Sequence, residues 1–320
     1  MNQAATPGAA PGVNKPKKSF LKRLAGRWES PIAGYLFIAP WLIGFFVLTL
    51  RPMIQSVYFS LTDYSLLDEA KWVGFRNYVR IFTADDTFVQ AMKVTFLYVA
   101  LAVPLRLVSS LFFAMLLNQK IRGMSFYRTL IYIPSIIGSS IAVAVLWKNI
   151  FGKDGFINYF LGWFGIEGVS WISNPDTALG TLIILNAWQF GSTMVIFLAG
   201  LKQIPGELYE AASVDGATKV RQFFHVTLPM LSPVILFNLI LGIINSFQMF
   251  TSAFIVTAGG PMNATYMYAL YLYEKAFTHY QMGYASALAW ILLVIIAVAT
   301  ALNFAVSKYW VYYESEGGRR

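Results

Sequence analysis

The sequence predicts an all-α polytopic membrane protein with six spanning helices, and three observations carry that prediction. Only 12% of the 320 residues are charged while 57% are hydrophobic, where a water-soluble chain carries about 25% charged residues. Six apolar runs are long enough for a hydrocarbon core that needs about 20 residues at a rise of about 1.5 Å each. The basic residues are sorted to one side of those runs.

In chain order, residues 1–30 read as a basic, disordered tail. Pro7, Pro11 and Pro16 with Gly8 and Gly12 give way to Lys15, Lys17, Lys18, Lys22, Arg23 and Arg27. Residues 20–28 mix apolar and basic side chains as a segment resting on an anionic membrane surface would, and as a solvated flank would. Residues 34–50 carry no charge, precede Arg51 and lack a small-residue cleavage site, so they read as a retained span and not a removed signal. Spans are expected at 96–117, 129–146, 178–201, 231–256 and 285–306. Backbone amides in lipid must bond internally, and these continuous runs do not alternate as barrel strands do, so each is a helix. A membrane domain over 31–310 with a polar loop at 202–230 and a short tail at 311–320 results.

Six spans place both termini on one side. That side carries the tail cations, Lys120, Arg122, Arg128, Lys202, Lys219, Arg221, Lys308, Arg319 and Arg320. The other carries Arg51, Lys71, Arg76, Arg80, Lys93, Lys148, Lys153 and Lys275, in longer loops that also hold Asp63, Asp68, Glu69, Asp85 and Asp86. The richer side is cytoplasmic. The net charge of +9 is dispersed between apolar runs and forms no aromatic-interleaved patch, which argues against nucleic acid. There is no cysteine, so thiolate chemistry and disulfides are excluded. His225 and His279 stand far apart, and no metal site is expected.

The loop at 202–230 is the most informative stretch. Pro205 suits a helix start, and Leu208, Ala211 and Ala212 fall on one face. Gly216 suits a turn with positive φ, Asp215 beside it reads as a cap for the following helix, and Pro229 marks entry to the fifth span. The product is a helix-turn-helix whose alanines let a partner backbone approach and whose Glu210 offers a charge at the edge. An amphipathic loop lying on the membrane would read similarly.

Glu210-Ala211-Ala212, Asp215-Gly216-Ala217 and Leu228-Pro229 resemble, in identity and spacing, the EAA coupling motif of ABC importer permeases. Residues 35–64 resemble the first-helix signature of the oligosaccharide-uptake branch. Val73-Gly-Phe-Arg-Asn-Tyr78 resembles its periplasmic segment, and Gly259-Gly260-Pro261 also matches, so the resemblance covers roughly residues 33 to 310. It implies the type I ABC importer permease fold in a bacterial inner membrane. It also implies a second, unlike permease subunit, an ABC ATPase dimer docked on the coupling motif, an extracytoplasmic binding protein and a saccharide cargo. No G-x-x-x-x-G-K-[ST] phosphate loop occurs in the chain, so ATP and Mg belong to the partner ATPase and this chain is not itself catalytic.

Polar side chains inside spans face a bundle interior or a cavity. Asn186, Trp188, Gln189 and Thr193 lie in the fourth run and Asn245, Ser246, Gln248 and Met249 in the fifth. They supply the amides, hydroxyls and aromatic face that a sugar pathway needs. Maltose-type relatives place sugar contacts in the corresponding parts of these helices, with only Asn186 keeping its residue type. Such side chains also tie helices together at about 0.6 kcal/mol each. Arg106, the only charge deep in a run, is expected either to make a structural bond or to line the pathway and meet an anionic group on the cargo. No Asp or Glu occurs within the six runs, which argues against an ion-coupled carrier. A different polar cargo such as glycerol-3-phosphate is the alternative within the same family.

Overall fold

The computed structural model describes residues 31–119, 121–138 and 140–312, with side chains from residue 34. The basic tail expected over 1–30, Lys120 and residues 313–320 lie outside the described residues. The chain divides into two units, residues 1–56 and 57–320. The first holds most of α1 (Gly34–Ser60), an apolar helix long enough to span, with a π-helical turn at Phe45–Leu50. Trp41 and Phe45, one turn apart, stack at 5.5 Å.

The second unit is mostly helical as expected and adds one short two-stranded antiparallel hairpin of β1 (Thr62–Ser65) and β2 (Asp68–Trp72). Its polar residues gave no alternating apolar signal, and tertiary contacts hold it. The buried Asn77 amide, on α2 (Arg76–Thr83), donates to the carbonyls of Ser60 and Thr62 at 2.9 Å each. Gly283 seats against the hairpin so closely that a Cβ there would lie 2.1 Å from the Thr62 carbonyl oxygen.

Among the described residues four helices are each long and apolar enough to span: α1, α3 (Asp86–Leu117), α10 (Lys219–Phe247) and α12 (Met282–Ser307). Two bent helix pairs are together apolar and long enough for one further span each. One is α4 (Met124–Ile137) with α5 (Ile141–Ile150), and the other α7 (Pro175–Trp188) with α8 (Gly191–Gln203), bent by 44°. Six spans are reached when each pair counts as one. A short α6 (Phe156–Gly162) lies between α5 and α7, α9 (Gly206–Val214) before α10, and α11 (Tyr268–Tyr273) before α12.

Helix ends are satisfied locally. Asp85 caps α3 by accepting from the Phe88 N–H at 2.9 Å. At the other end Arg128 donates from Nη2 and Nε to the Leu117 carbonyl at 2.7 and 3.1 Å, a cation on orphan C=O groups at the negative end of the dipole. Asn174 caps α7, with Pro175 in the first turn.

α3 and α10 run antiparallel through the core. Phe247 packs with Val94 and Tyr98 at one end, and Leu231 with Ala114 and Leu117 at the other. Small residues set the spacing, because lipid offers little hydrophobic drive between helices. A Cβ on Gly200 would meet Leu231 at 2.9 Å and Val234 at 3.0 Å, and one on Gly242 would meet Val103 at 3.1 Å.

Candidate functional site

The break in the fourth span builds the first part of the site. Between α7 and α8 the chain bends by 44°, and side chains from two neighbouring helices bond the backbone groups at the break. Ser135 Oγ donates to the Gln189 carbonyl at 3.1 Å and accepts from the Ser192 N–H at 3.1 Å, so one hydroxyl serves both sides of the break. Ser110 Oγ donates to the Arg106 carbonyl at 2.6 Å and reaches that of Phe190 at 3.2 Å. Gly191 admits this approach, since a Cβ there would lie 2.6 Å from Ser135 Oγ. In return Gln189 Nε2 donates to the Gly138 carbonyl at 2.6 Å, at the break between α4 and α5.

Beside this junction lies a cavity of about 180 Å³ between α3, α8 and α10, lined by Arg106, Ser192, Thr193, Asn238, Asn245 and Ser246 among apolar neighbours. Four of the sequence-derived pathway residues, Arg106, Thr193, Asn245 and Ser246, therefore meet in one place. The others do not. Asn186 sits beside the Tyr98 hydroxyl with its own amide oxygen buried and without a hydrogen-bond partner, Trp188 packs on Trp147 at 5.6 Å, and Met249 packs against the core. Gln248 caps the end of α10 and is exposed. Gln189 is occupied by the backbone bonds just described. Arg106 Nη2 lies 3.4 Å from Ser192 Oγ, its Nε is buried without a partner, and no carboxylate pairs with it among the described residues.

The second part of the site is the helix-turn-helix of α9 and the start of α10. Gly216, at φ +76°, ends α9 in a left-handed turn. The Ala217 N–H bonds the Ala212 carbonyl at 2.8 Å and the Gly216 N–H bonds that of Ser213 at 3.1 Å, the two bonds of a Schellman motif. Asp215 ends α9 and does not cap the next helix. Thr218 does that, accepting from the Arg221 N–H at 3.3 Å, because the left-handed turn delays the helix start to Lys219. Sequence reasoning passed over Gln222, a buried amide that donates to Ser213 Oγ at 2.8 Å and the Ala217 carbonyl at 3.3 Å. Tyr209 OH and Thr227 Oγ1 add a bond of 2.9 Å. The turn is thereby fixed from within while Glu210, Ala211 and Val214 are exposed. α10 then continues through a π turn at Phe223–Thr227, past Leu228 and Pro229, without leaving the helix.

A third cluster sits at the start of α3. Asp85 accepts from both Tyr271 OH and Tyr284 OH, with Lys275 Nζ 5.4 Å from the Tyr271 ring and the Arg80 guanidinium 5.2 Å from that of Tyr284. Burial alone would raise the Asp85 pKa. The two phenols, the Phe88 N–H and the Lys275 charge outweigh it and hold the carboxyl below its ordinary value.

Residues 88–310 match the family described as binding-protein-dependent transport system inner membrane component. The chain belongs to that family. Among permeases it resembles, the probable ABC transporter permease protein YesP of Bacillus subtilis is 52% identical over 288 residues, covering 89% of this chain and 93% of that one. The arabinooligosaccharides transport system permease protein AraP of Halalkalibacterium halodurans is 34% identical over 272 residues, covering 83% and 85%. A solved bacterial ABC transporter involved in the import of the acidic polysaccharide alginate has a chain that superposes on this permease with a TM-score of 0.76 at 23% identity. That match covers 89% of this chain and 98% of the other, and it fixes the fold.

Proposed function

We propose that this permease carries a saccharide across the bacterial inner membrane as one of two unlike permease subunits, with both its termini in the cytoplasm. An extracytoplasmic binding protein delivers the cargo, and an ABC ATPase dimer, holding ATP and Mg, docks on the helix-turn-helix. The observation that carries this reading is the single helix α10. It begins inside the fixed turn at Lys219 and ends beside the cavity residues Asn245 and Ser246. A push on the exposed Glu210 and Ala211 and the half-buried Ala212 is passed through the Gln222 and Thr227 bonds to the wall of the cavity. The names of the relatives support the cargo class, since AraP is called an arabinooligosaccharide permease and another relative, 33% identical, the lactose permease LacF of Rhizobium radiobacter.

Glu210→Lys reverses a charge on the exposed docking face. The variant is expected to reach the membrane at the normal level, to lose the ATPase on co-purification and to abolish uptake. Unchanged uptake at equal membrane content would refute the coupling role.

A further inference from the structure

We infer that the cavity between α3, α8 and α10 is an anion site and that the cargo is an acidic saccharide, whose carboxylate Arg106 pairs as it passes. This rests on the reading of the chain as a saccharide permease and adds the charge of the cargo.

Arg106 stands eleven residues before the end of α3 at Leu117, about 16 Å along the axis at 1.5 Å per residue. That is too deep to reach water along the helix surface. An arginine at such depth is expensive unless paired or facing a cavity, and a guanidinium offers five donors. Here it makes one long contact, 3.4 Å to Ser192 Oγ, and its Nε is buried without a partner. The charge is therefore held in place and left uncompensated among the described residues.

The second observation is independent of the first. The broken fourth span starts α8 at Gly191, and its first-turn residues Ser192 and Thr193 line the same cavity. A helix N-terminus carries partial positive charge, and half-helix N-termini at mid-membrane face anionic substrate groups. The Ser192 N–H is taken by Ser135 Oγ, so this terminus adds its dipole to the Arg106 charge beside the space and not that amide as a donor. The remaining polar lining, Asn238, Asn245 and Ser246, is neutral and able to bond sugar hydroxyls. A guanidinium fork matches a carboxylate in two parallel bonds, and uronic acids bring that carboxylate on a ring rich in hydroxyls.

The test is uptake by the complete importer in proteoliposomes, with a binding protein that takes both a uronic acid trisaccharide and its carboxyl-reduced neutral counterpart. Arg106→Gln is expected to lower uronate uptake about tenfold or more, as loss of a charge-assisted bond does, and to leave the neutral sugar within about twofold. Arg106→Lys should recover part of the uronate uptake. Asn245→Asp places a carboxylate in the cavity while Arg106 remains, and it should lower the uronate-to-neutral ratio about tenfold. Assembly is read separately as co-purification of the subunits, and if Arg106→Gln fails to assemble the Asn245→Asp ratio decides. Equal loss of both sugars in Arg106→Gln, equal carriage of both by the unaltered importer, or an unchanged ratio in Asn245→Asp would each overturn the proposal. Failure of the underlying saccharide reading is a different result, in which no sugar-loaded binding protein raises uptake or ATP hydrolysis by the unaltered complex.

Discussion

Single residues show how burial and bonding oppose each other in this chain. Asp85 is the sharpest case, a carboxylate that accepts from Tyr271, Tyr284 and the Phe88 N–H beside Lys275. Its folded pKa lies below the ordinary value of about 3.9, so it contributes stability that is present above that value and lost as pH falls through the folded pKa. The purified permease is expected to lose thermal stability on acidification below about pH 4, and Asp85→Asn to be less stable at neutral pH with a flatter acid limb. Melting temperature against pH in both proteins checks this, and parallel acid limbs would contradict it. Asp85 stood in the sequence as one acid of a loop, because the tyrosines that bond it come from nearly two hundred residues away. Arg106 was legible for the opposite reason, since a charge inside an apolar run is conspicuous without knowledge of its neighbours.

At the scale of elements, the helix-turn-helix was readable and its internal fastening was not. Gly216 and the alanines have local signatures, and the motif spacing gave the loop a role. The cap was misassigned to Asp215 because an Asp beside a Gly reads as a helix start, whereas the Schellman turn consumes both residues in ending α9. Gln222 carries no local signal, because an amide in the first turn of a long helix reads as solvated. Its burial predicts that Gln222→Leu removes the bonds to Ser213 Oγ and the Ala217 carbonyl, destabilising the turn by about 1 kcal/mol. Hydrogen exchange over residues 206–222 should accelerate, and ATP hydrolysis should respond less to a loaded binding protein. Exchange rates equal to those of the unaltered protein would show that the amide fastens nothing. The hairpin at 62–72 was missed for a related reason. Asp63, Asp68, Glu69 and Lys71 do not alternate with apolar residues, and a two-stranded ribbon is stable only when something holds it.

At the scale of the whole molecule, hydropathy counted six spans because lipid imposes one length on every crossing, yet it could not see that two of them are broken. Leu185-Asn186-Ala187-Trp188-Gln189-Phe190-Gly191 and the residues around Gly138 stay apolar enough to read as continuous. The discontinuities are made visible only by the side chains that answer them from other helices, Ser135 for one and Gln189 for the other. That reciprocity bears on how the protein is made. The third and fourth spans each carry backbone groups that hydrocarbon cannot satisfy and that a side chain of the other bonds, so the third span has no complete resting place in lipid until the fourth has left the ribosome. Nascent chains long enough to bring only the third span out of the ribosome should remain in crosslinking contact with the insertion machinery, and chains long enough to bring out the fourth span as well should be released from it, with Ser135→Ala and Gln189→Leu together delaying that release. Departure of the third span alone into lipid would show that insertion is sequential. Retention of the pair would mean that the unit handed to the membrane is a hairpin of two broken helices, held together during synthesis by the same bonds that later border the cavity.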